Sequence, residues 1–319
     1  MSEHEALEAS PPEPSPLATV VIPTHDRVAF ATRAVESAIA QTAQPVEVIV
    51  VDDGSPVPFA IEPLDPRVRV IRRESSGGPC VARNAGLAEA RGRWIVFLDD
   101  DDELLPDMLE ASLDAVASSE LPTPVAVLSC IRVVDEHGEP IDSRCPPTLP
   151  RGSHWFLDGS GEGRFRSERT LVAPVDVIRS VGGFDERVRA TEDKDLFLRV
   201  NAICSIQGLA RETYRKTEHR GPKLLANPGA LADGIRMTLE KHGALIATYP
   251  KKHATLLSSM SLYDLEAGRW GSAVAAAARA IGRDPRRASS YGRLLVCLSG
   301  PWGFRLARRV RRRGREAGS

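Results

Sequence analysis

The chain has 319 residues and nearly balanced charges, 42 Lys and Arg against 43 Asp and Glu, so no global attraction for nucleic acid is expected. Its length suits one large domain or one large and one small domain, and a hydrophobic fraction of 42% is enough for a core. No signal peptide is visible, and no apolar run approaches the ~20 residues that span a bilayer, which favours a cytoplasmic protein.

The N-terminal residues 1–16 are acidic and rich in proline, which predicts a disordered leader. The five cysteines form no C-x-x-C pair, and their number is odd. This pattern predicts reduced thiols with mainly structural roles in a cytosolic protein.

Apolar runs and helical spacing then alternate along the chain. Valine-rich runs predict strands at 18–23, 46–51, 68–71, 93–98 and 125–131. Apolar residues at helical spacing predict helices at 27–41, 79–90, 105–116 and 195–203. Solid apolar strands that alternate with helices predict an α/β fold with a mostly parallel sheet covered on both faces.

The later part of the chain is less regular. Residues 143–170 are rich in Gly, Ser, Pro and Arg, which predicts a long loop. From about residue 227 the pattern is helical, and residues 262–285 have the small-residue spacing of one tetratricopeptide-like helix pair. The final fifteen residues carry seven arginines and one glutamate. They suit either a solvated tail or peripheral contact with an anionic membrane surface.

The strands end on polar sequences, "PTHDR", "DDGS" and "DDDDE". Ligands of parallel sheets lie at the carboxyl ends of the strands, so this convergence is the first functional signal. Asp99 and Asp101 can both turn toward one divalent cation, or they can belong to a solvated turn before a helix. Asp102 and Glu103 are expected to cap that helix and to stay out of the metal shell.

Two other segments carry possible ligand groups. Asp52 and Asp53 can accept hydrogen bonds from a nucleobase, or they can form an Asx-turn. The sequence "GGPCVARNAG" places two glycines before a helix, whose free N–H groups and Arg83 would suit a phosphate.

Four blocks in this order resemble the family 2 glycosyltransferases of the GT-A fold. They are "VVIPTHDR", "VEVIVVDDGS", "GGPCVARNAGLAEARGRWIVFLDDDDELLPDMLE" and "VGGFDERVRATEDKDLFLRV". The resemblance covers about residues 18–217. It implies a GT-A domain at 17–225, followed by a helical C-terminal extension at 226–300 and an arginine-rich tail at 301–319.

The resemblance implies transfer of a sugar from a nucleotide diphosphate donor, UDP- or dTDP-linked, with inversion at the anomeric carbon. Asp99 and Asp101 would hold Mg²⁺ or Mn²⁺, and Asp101 would be the main metal ligand. The expected donor-binding residues are Pro23, Thr24, Arg27, Asp52, Asp53, Arg83, Asp99 and Asp100.

The segment "TEDKD" is similar to the acidic pair of the family. Asp193 takes the position of the general base, which would accept the proton of a hydroxyl acceptor, and Glu192 lies beside it. The same pair also suits a helix N-terminus, where the dipole favours negative charge. A family histidine near the metal has no clear counterpart, because His219 lies further along than expected. The side chain of Trp155 suits either stacking on a sugar or packing in a hydrophobic core.

The acceptor is expected to be a carbohydrate, a lipid-linked molecule or another hydroxyl compound, in glycan or surface polysaccharide synthesis. Two alternatives remain, a nucleotide-sugar-binding protein without catalysis and a sugar nucleotidyltransferase. The second would need a glycine-rich triphosphate loop with a lysine near the first strand, and "PTHDRVAF" has neither. The absence of G-x-G-x-x-G there also disfavours a nicotinamide oxidoreductase.

Overall fold

A computed structural model of the chain describes residues 15–62, 65–154, 157, 170–188, 190–218 and 227–300. Four features of the sequence lie wholly or mostly outside these residues. They are the predicted leader, Trp155, His219 and the arginine-rich tail.

Nine strands and ten helices form the described part of the chain. The strands are β1 Ala18–Thr24, β2 Val46–Asp52, β3 Val68–Arg72, β4 Trp94–Phe97, β5 Asp102–Leu104, β6 Val125–Val134, β7 Pro140–Arg144, β8 Val172–Pro174 and β9 Ser205–Thr217. The helices are α1 Val28–Ile39, α2 Pro79–Glu89, α3 Met108–Ala117, α4 Val175–Ser180, α5 Glu192–Ile203, α6 Pro228–Lys241, α7 Gly243–Ala247, α8 Pro250–Glu266, α9 Trp270–Arg283 and α10 Ala288–Leu298.

The strands form one mixed sheet in the order β3-β2-β1-β4-β8-β6-β9-β5, and β7 pairs with β6. The half that contains β3, β2, β1 and β4 is parallel. Every residue of β2 is buried. Because successive side chains point to opposite faces of a strand, both faces of the sheet are covered here. The predicted α/β class is confirmed.

The parallel register brings polar groups to one edge of the sheet. Thr24 at the end of β1 lies beside Asp52 at the end of β2. Phe97 at the end of β4 lies beside Val21, and the Leu98 N–H donates to the Val21 carbonyl over 3.0 Å. The acidic residues that follow Leu98 therefore run alongside the end of β1.

Helix α2 packs closely on this parallel half. A Cβ atom on Gly86 would lie 2.4 Å from Cγ1 of Val21, so a glycine is needed where the helix crosses β1. This close approach fixes the height of α2 above the sheet. Arg83, one turn earlier in the helix, is thereby held near the carboxyl ends of the strands.

Several elements differ from the sequence predictions. The expected helix at 105–116 begins only at Met108, because Asp102–Leu104 form the short strand β5 against β9. Strands β7, β8 and β9 were not predicted. The proposed loop at 143–170 begins inside β7, and Leu149 bridges to Ile206.

The prediction of reduced cysteines is wrong for two of the five. Cys130 and Cys145 form a disulfide, since the antiparallel pairing of Ile131 with Arg144 brings the flanking cysteines together. Cys80, Cys204 and Cys297 are free and buried.

The C-terminal helices pack against α5 through an apolar cluster that is separate from the core of the sheet. This cluster contains Leu198 of α5 together with Ala232 and Ile235 of α6 and Leu257 of α8. Helices α8 and α9 form the segment that was predicted as a helix pair. Among the described helices, none combines the length and the apolar character that a membrane crossing requires.

Candidate active site

The first part of the candidate site is the junction between β1 and the acidic run after β4. The Thr24 hydroxyl donates to Asp100 over 2.9 Å. Arg27 pairs with both Asp100 and Asp101, at 3.2 Å each. Burial raises the pKa of Asp100, although the contacts with Thr24 and Arg27 oppose this effect. Half-buried Pro23 precedes Thr24 in β1.

Three carboxylates of the acidic run form a cluster suited to a cation. Asp99, Asp101 and Asp102 offer oxygen atoms that all lie within 4.8 Å of one another. Oxygen ligands of one Mg²⁺ ion at about 2.1 Å lie about 3 Å apart when adjacent and about 4.2 Å apart when opposite, so these oxygens would move closer together on binding one ion. Carboxylate oxygens are the ligands that Mg²⁺ and Mn²⁺ prefer. These residues therefore fit a divalent ion.

Asp102 is the member of this cluster that the sequence analysis excluded. Its expected role as a helix cap is wrong, because β5 turns its side chain inward, where it is 2% exposed. The Tyr214 hydroxyl donates to Oδ2 over 2.9 Å and the Thr217 N–H donates to Oδ1 over 3.1 Å. Burial first, and then repulsion from Asp101, raises the pKa of Asp102 to about 7. Glu103 likewise does not cap a helix but pairs with Arg215 over 3.0 Å.

Asp52 is fully buried at the end of β2. Its carboxylate accepts hydrogen bonds from the Ser55 N–H at 2.9 Å and the Phe59 N–H at 3.0 Å, and it pairs with Arg72. Burial alone would raise the pKa of Asp52, but the contacts with Ser55, Phe59 and Arg72 outweigh it and hold the pKa below its ordinary value. Asp52 therefore remains charged and shapes the loop that follows β2.

Asp53 holds together the two loops beside this site. It pairs with Arg73, and it accepts hydrogen bonds from the Ser76 hydroxyl and from the N–H groups of Gly77 and Gly78, the last at 2.8 Å. Burial opposes these contacts, yet the pKa of Asp53 stays lowered. The N–H groups of Gly77 and Gly78, which precede α2 and were expected to face a phosphate, thus donate to Asp53 instead.

Arg83 links the acidic run to the later acidic pair. Its guanidinium donates to Asp99 over 2.7 Å, lies 3.5 Å from a Glu192 oxygen, and stacks 5.1 Å from the ring centre of Phe184. The residue is only 6% exposed. An arginine is suited to this position because its planar fork can bind two carboxylates at once.

The acidic pair opens helix α5. Thr191 precedes it with a left-handed backbone (φ +70°), and Glu192 and Asp193 occupy the first turn. Asp193 lines one pocket together with Arg83 and Asp99, and the apolar wall includes Phe97, Phe184 and Phe197. The rings of Phe97 and Phe184 meet edge to face at 4.9 Å. Residues far apart in sequence therefore converge on one concave surface.

Some residues of this site were not found from the sequence. Tyr214 and Phe184 were missed as site residues, although Phe184 lies within the block "VGGFDERVRATEDKDLFLRV". No short-range pattern reveals them, because Tyr214 reaches Asp102 across 112 residues. His25 Nδ1 lies 2.9 Å from the Asp53 carbonyl, so its ring contacts the loop backbone.

Comparison with protein-family models gives a match for residues 19–142, to the model described as glycosyl transferase family 2. This segment contains β1 from Thr19 onward, β2 to β6, and the acidic run Asp99–Glu103 after β4. The match includes every predicted donor-binding residue but not the acidic pair at 192–193.

Two relatives extend the match beyond residue 142. The succinoglycan biosynthesis protein ExoO of Rhizobium meliloti is 44% identical in an alignment of 221 residues that covers 64% of this chain and 62% of that protein. The hyaluronan synthase of Pasteurella multocida is 27% identical in an alignment of 219 residues that covers 64% of this chain but 21% of that protein. The chain thus spans less than two thirds of these relatives.

Among solved structures, the TarS protein of S. aureus (residues 1–349, in complex with UDP-GlcNAc) superposes with a TM-score of 0.59 at 19% identity. The superposition covers 85% of this chain and 82% of that one. At this level of identity the likeness concerns the fold, which is GT-A-like.

The sequence and the fold of the chain are thus similar to those of family 2 glycosyltransferases. The resemblance in the four sequence blocks is confirmed by these comparisons. The roles of the individual site residues remain predictions.

Proposed function

We propose that the chain is an inverting, metal-dependent glycosyltransferase that moves a sugar from a UDP- or dTDP-linked donor to a hydroxyl acceptor. The observation that carries this proposal is the pocket shared by Asp193, Arg83 and Asp99. The lining of this pocket includes a carboxylate able to accept a proton and groups able to hold a diphosphate, which are the two kinds of group that an inverting transfer needs.

The donor end would be held by residues from three strands. Pro23 and Thr24 would contact the nucleoside, with Arg27 at the rim, and Asp52 would act through the loop that it holds after β2. Thr24 and Arg27 already hold Asp100, so Asp100 would support the nucleotide loop. Asp53 would act through the loop before α2, since its carboxylate accepts hydrogen bonds from Gly77 and Gly78.

The metal would be held by Asp99, Asp101 and Asp102. A divalent ion supplies positive charge against a diphosphate leaving group. Arg83 would stabilise the same region from the protein side, because it is buried and cationic and already bonded to Asp99. The proposed role of Asp102 is supported by its position in the cluster and not by the sequence motif.

Asp193 would accept the proton of the acceptor hydroxyl as that oxygen attacks the anomeric carbon. Glu192, which lies 3.5 Å from Arg83, would help to keep the acidic pair oriented. A positioned general base commonly contributes about 10²–10⁴-fold to such a step.

A role in polysaccharide synthesis follows from the relatives, whose names refer to succinoglycan and hyaluronan. The donor class is favoured by the UDP-GlcNAc bound to the structural relative. Peripheral contact with the inner face of a membrane, through residues 301–319, is part of the same proposal. The acceptor would then be a growing glycan or a lipid-linked sugar.

Two other functions fit these residues less well. A binding protein without catalysis would need no acidic pair beside the donor pocket, so the position of Asp193 disfavours it. A sugar nucleotidyltransferase would need a triphosphate loop after β1, and the segment Pro23–Val28 contains neither glycine nor lysine.

The test is the substitution Asp193→Asn, which keeps the shape of the side chain and removes its basicity. We expect sugar transfer, or hydrolysis of the donor by water, to fall at least about 100-fold, while Mn²⁺-dependent UDP binding stays within twofold. Asp176→Asn is the matched control, because Asp176 is an exposed acidic residue in the first turn of α4. Full turnover by Asp193→Asn would remove the assignment of the base.

A further inference from the structure

The first turn of α5 is held on its outer side by the C-terminal helices. Asp195, two residues after Asp193, is 1% exposed. Its carboxylate accepts hydrogen bonds from Arg199 at 2.6 Å and from Lys241 at 3.0 Å, and it lies 2.8 Å from His242 Nε2. Lys241 ends α6 and His242 follows it, so two of the three partners come from outside the GT-A domain.

Helix α6 also touches the backbone directly before the acidic pair. A Cβ atom on Gly234 would lie 2.1 Å from the Ala190 carbonyl oxygen and 2.9 Å from the Thr191 hydroxyl. The neighbour at 2.1 Å is backbone, so it cannot rotate away. Only glycine allows α6 to pack against this turn as closely as it does.

The segment before this turn also contacts α2. The Cys80 thiol donates to the Val188 carbonyl over 3.3 Å. Val188 therefore contacts α2, which carries Arg83, and Ala190 and Thr191 contact α6, which carries Gly234. Thr191 adopts a left-handed backbone (φ +70°) in this narrow space.

Ion pairing joins α6 to the loop before the turn as well. Lys241 Nζ bridges Asp195 and Asp185, both at about 3.0 Å. Contacts with Arg199, Lys241 and His242 outweigh the effect of burial and hold the pKa of Asp195 at about 2, so it stays ionised. A buried carboxylate with several cationic partners fixes geometry firmly, because loss of one partner leaves the rest uncompensated.

We propose that α6 is a positioning element for catalysis. Gly234, Lys241 and His242 hold the first turn of α5 at the place where Asp193 can reach the acceptor hydroxyl. These three residues would contact neither substrate nor metal, and they would affect catalysis only by positioning Glu192 and Asp193. The inference rests on the proposed role of Asp193, and it assigns to the C-terminal helices a function that the sequence patterns did not indicate.

The experiment uses Gly234→Ala in the full-length chain. The added methyl group must push the Ala190–Thr191 backbone, and a misplacement of about 1 Å at a reacting group can cost about 100-fold in rate. We expect kcat for donor turnover to fall about 100-fold, while the KM for the donor and the affinity for UDP with Mn²⁺ stay within twofold. Hydrogen exchange of residues 190–198 should become faster.

Gly243→Ala is the matched control, since Gly243 opens the next helix and a Cβ there meets no atom within 4 Å. This variant should keep the wild-type kcat and the wild-type exchange. The inference is overturned if Gly234→Ala keeps its kcat, if UDP affinity falls as much as kcat, or if Gly243→Ala shows the same loss.

A second pair of variants keeps the test valid if Gly234→Ala does not fold. His242→Ala removes one partner of Asp195, whereas His242→Gln keeps a side chain that can donate a hydrogen bond to it. We expect kcat to fall about tenfold in the first and to recover within about threefold in the second. Equal kcat values in these two variants would contradict a positioning role.

Failure of this inference can be told apart from failure of the proposed function. If the wild-type chain turns over no nucleotide sugar, the proposed function fails, and the exchange of residues 190–198 still reports whether α6 holds the turn. If the wild type is active and Gly234→Ala is equally active, only the positioning role fails.

Discussion

At the scale of single residues, burial divides the acidic side chains into two groups. Asp52 and Asp53 are buried, and hydrogen bonds from backbone amides and arginines hold their pKa values low. Asp99 and Asp101 are only half-buried and border the open side of the site. The first group shapes the loops, and the second remains accessible to a ligand.

Asp102 allows a prediction about pH. Its pKa near 7 exceeds that of a carboxyl in an unfolded chain, about 3.9, so the metal-free folded protein binds a proton that the unfolded chain has already released. Stability therefore falls as pH rises from about 4 to 7, and this contribution is fully lost above 7. In chelator, Asp102→Asn should lose less stability between pH 5 and pH 8 than the wild type does.

The measurement is urea unfolding of both proteins at the two pH values. The difference between the proteins isolates Asp102, because the other titrating groups are common to both. An identical pH dependence in wild type and Asp102→Asn would show that Asp102 is ionised in the folded protein throughout this range.

Much of the site at residue scale was predictable from short segments. Thr24 and Asp52 end buried strands, Asp99 and Asp101 follow one closely, and strand ends can be found from apolar runs. Asp102 was misassigned because a polar residue before a helix usually caps it, whereas here Tyr214 draws it inward from a distant strand. Sequence spacing contains no information about such a contact.

At the scale of elements, the strands formed by apolar runs were predictable, and the short or mostly polar strands were not. Strands β1, β2 and β4 are continuous apolar runs because helices cover both of their faces. Strand β9 has the burial of a half-exposed strand, with polar residues along most of its length. Its identity depends on pairing with β6 and β5, which only the folded chain provides.

The disulfide could not be predicted from the sequence for the same reason. Cys130 and Cys145 are separated by 15 residues, and their pairing depends on the hairpin formed by β6 and β7. Strand β7 was not predicted, because its sequence "PIDSR" begins with proline and is mostly polar. Without that hairpin the cysteine count alone favoured free thiols.

At the scale of the whole molecule, charge is distributed unevenly although the total is close to zero. Residues 1–226 carry 25 Lys and Arg against 37 Asp and Glu, and residues 227–319 carry 17 against 6. The GT-A part is therefore acidic and the C-terminal part is basic. Such a division favours an orientation in which the C-terminal end faces an anionic surface.

This orientation is testable with vesicles. Each arginine near an anionic surface contributes about 1 kcal/mol, so replacing Arg311, Arg312 and Arg313 by glutamine should weaken binding to vesicles rich in phosphatidylglycerol by about 100-fold. Co-sedimentation measures the partition, and neutral vesicles are the control. Equal binding of wild type to neutral and anionic vesicles would contradict the proposed membrane contact.

The central claim is that the Asp99, Asp101 and Asp102 cluster couples a divalent ion to the diphosphate of the donor. Calorimetric titration of the protein with UDP tests it most directly. We expect the affinity with Mn²⁺ to exceed that in chelator by at least about tenfold, and Asp101→Ala to lose this difference while Asp176→Ala keeps it. UDP affinity that is the same with Mn²⁺, in chelator and in Asp101→Ala would contradict the account.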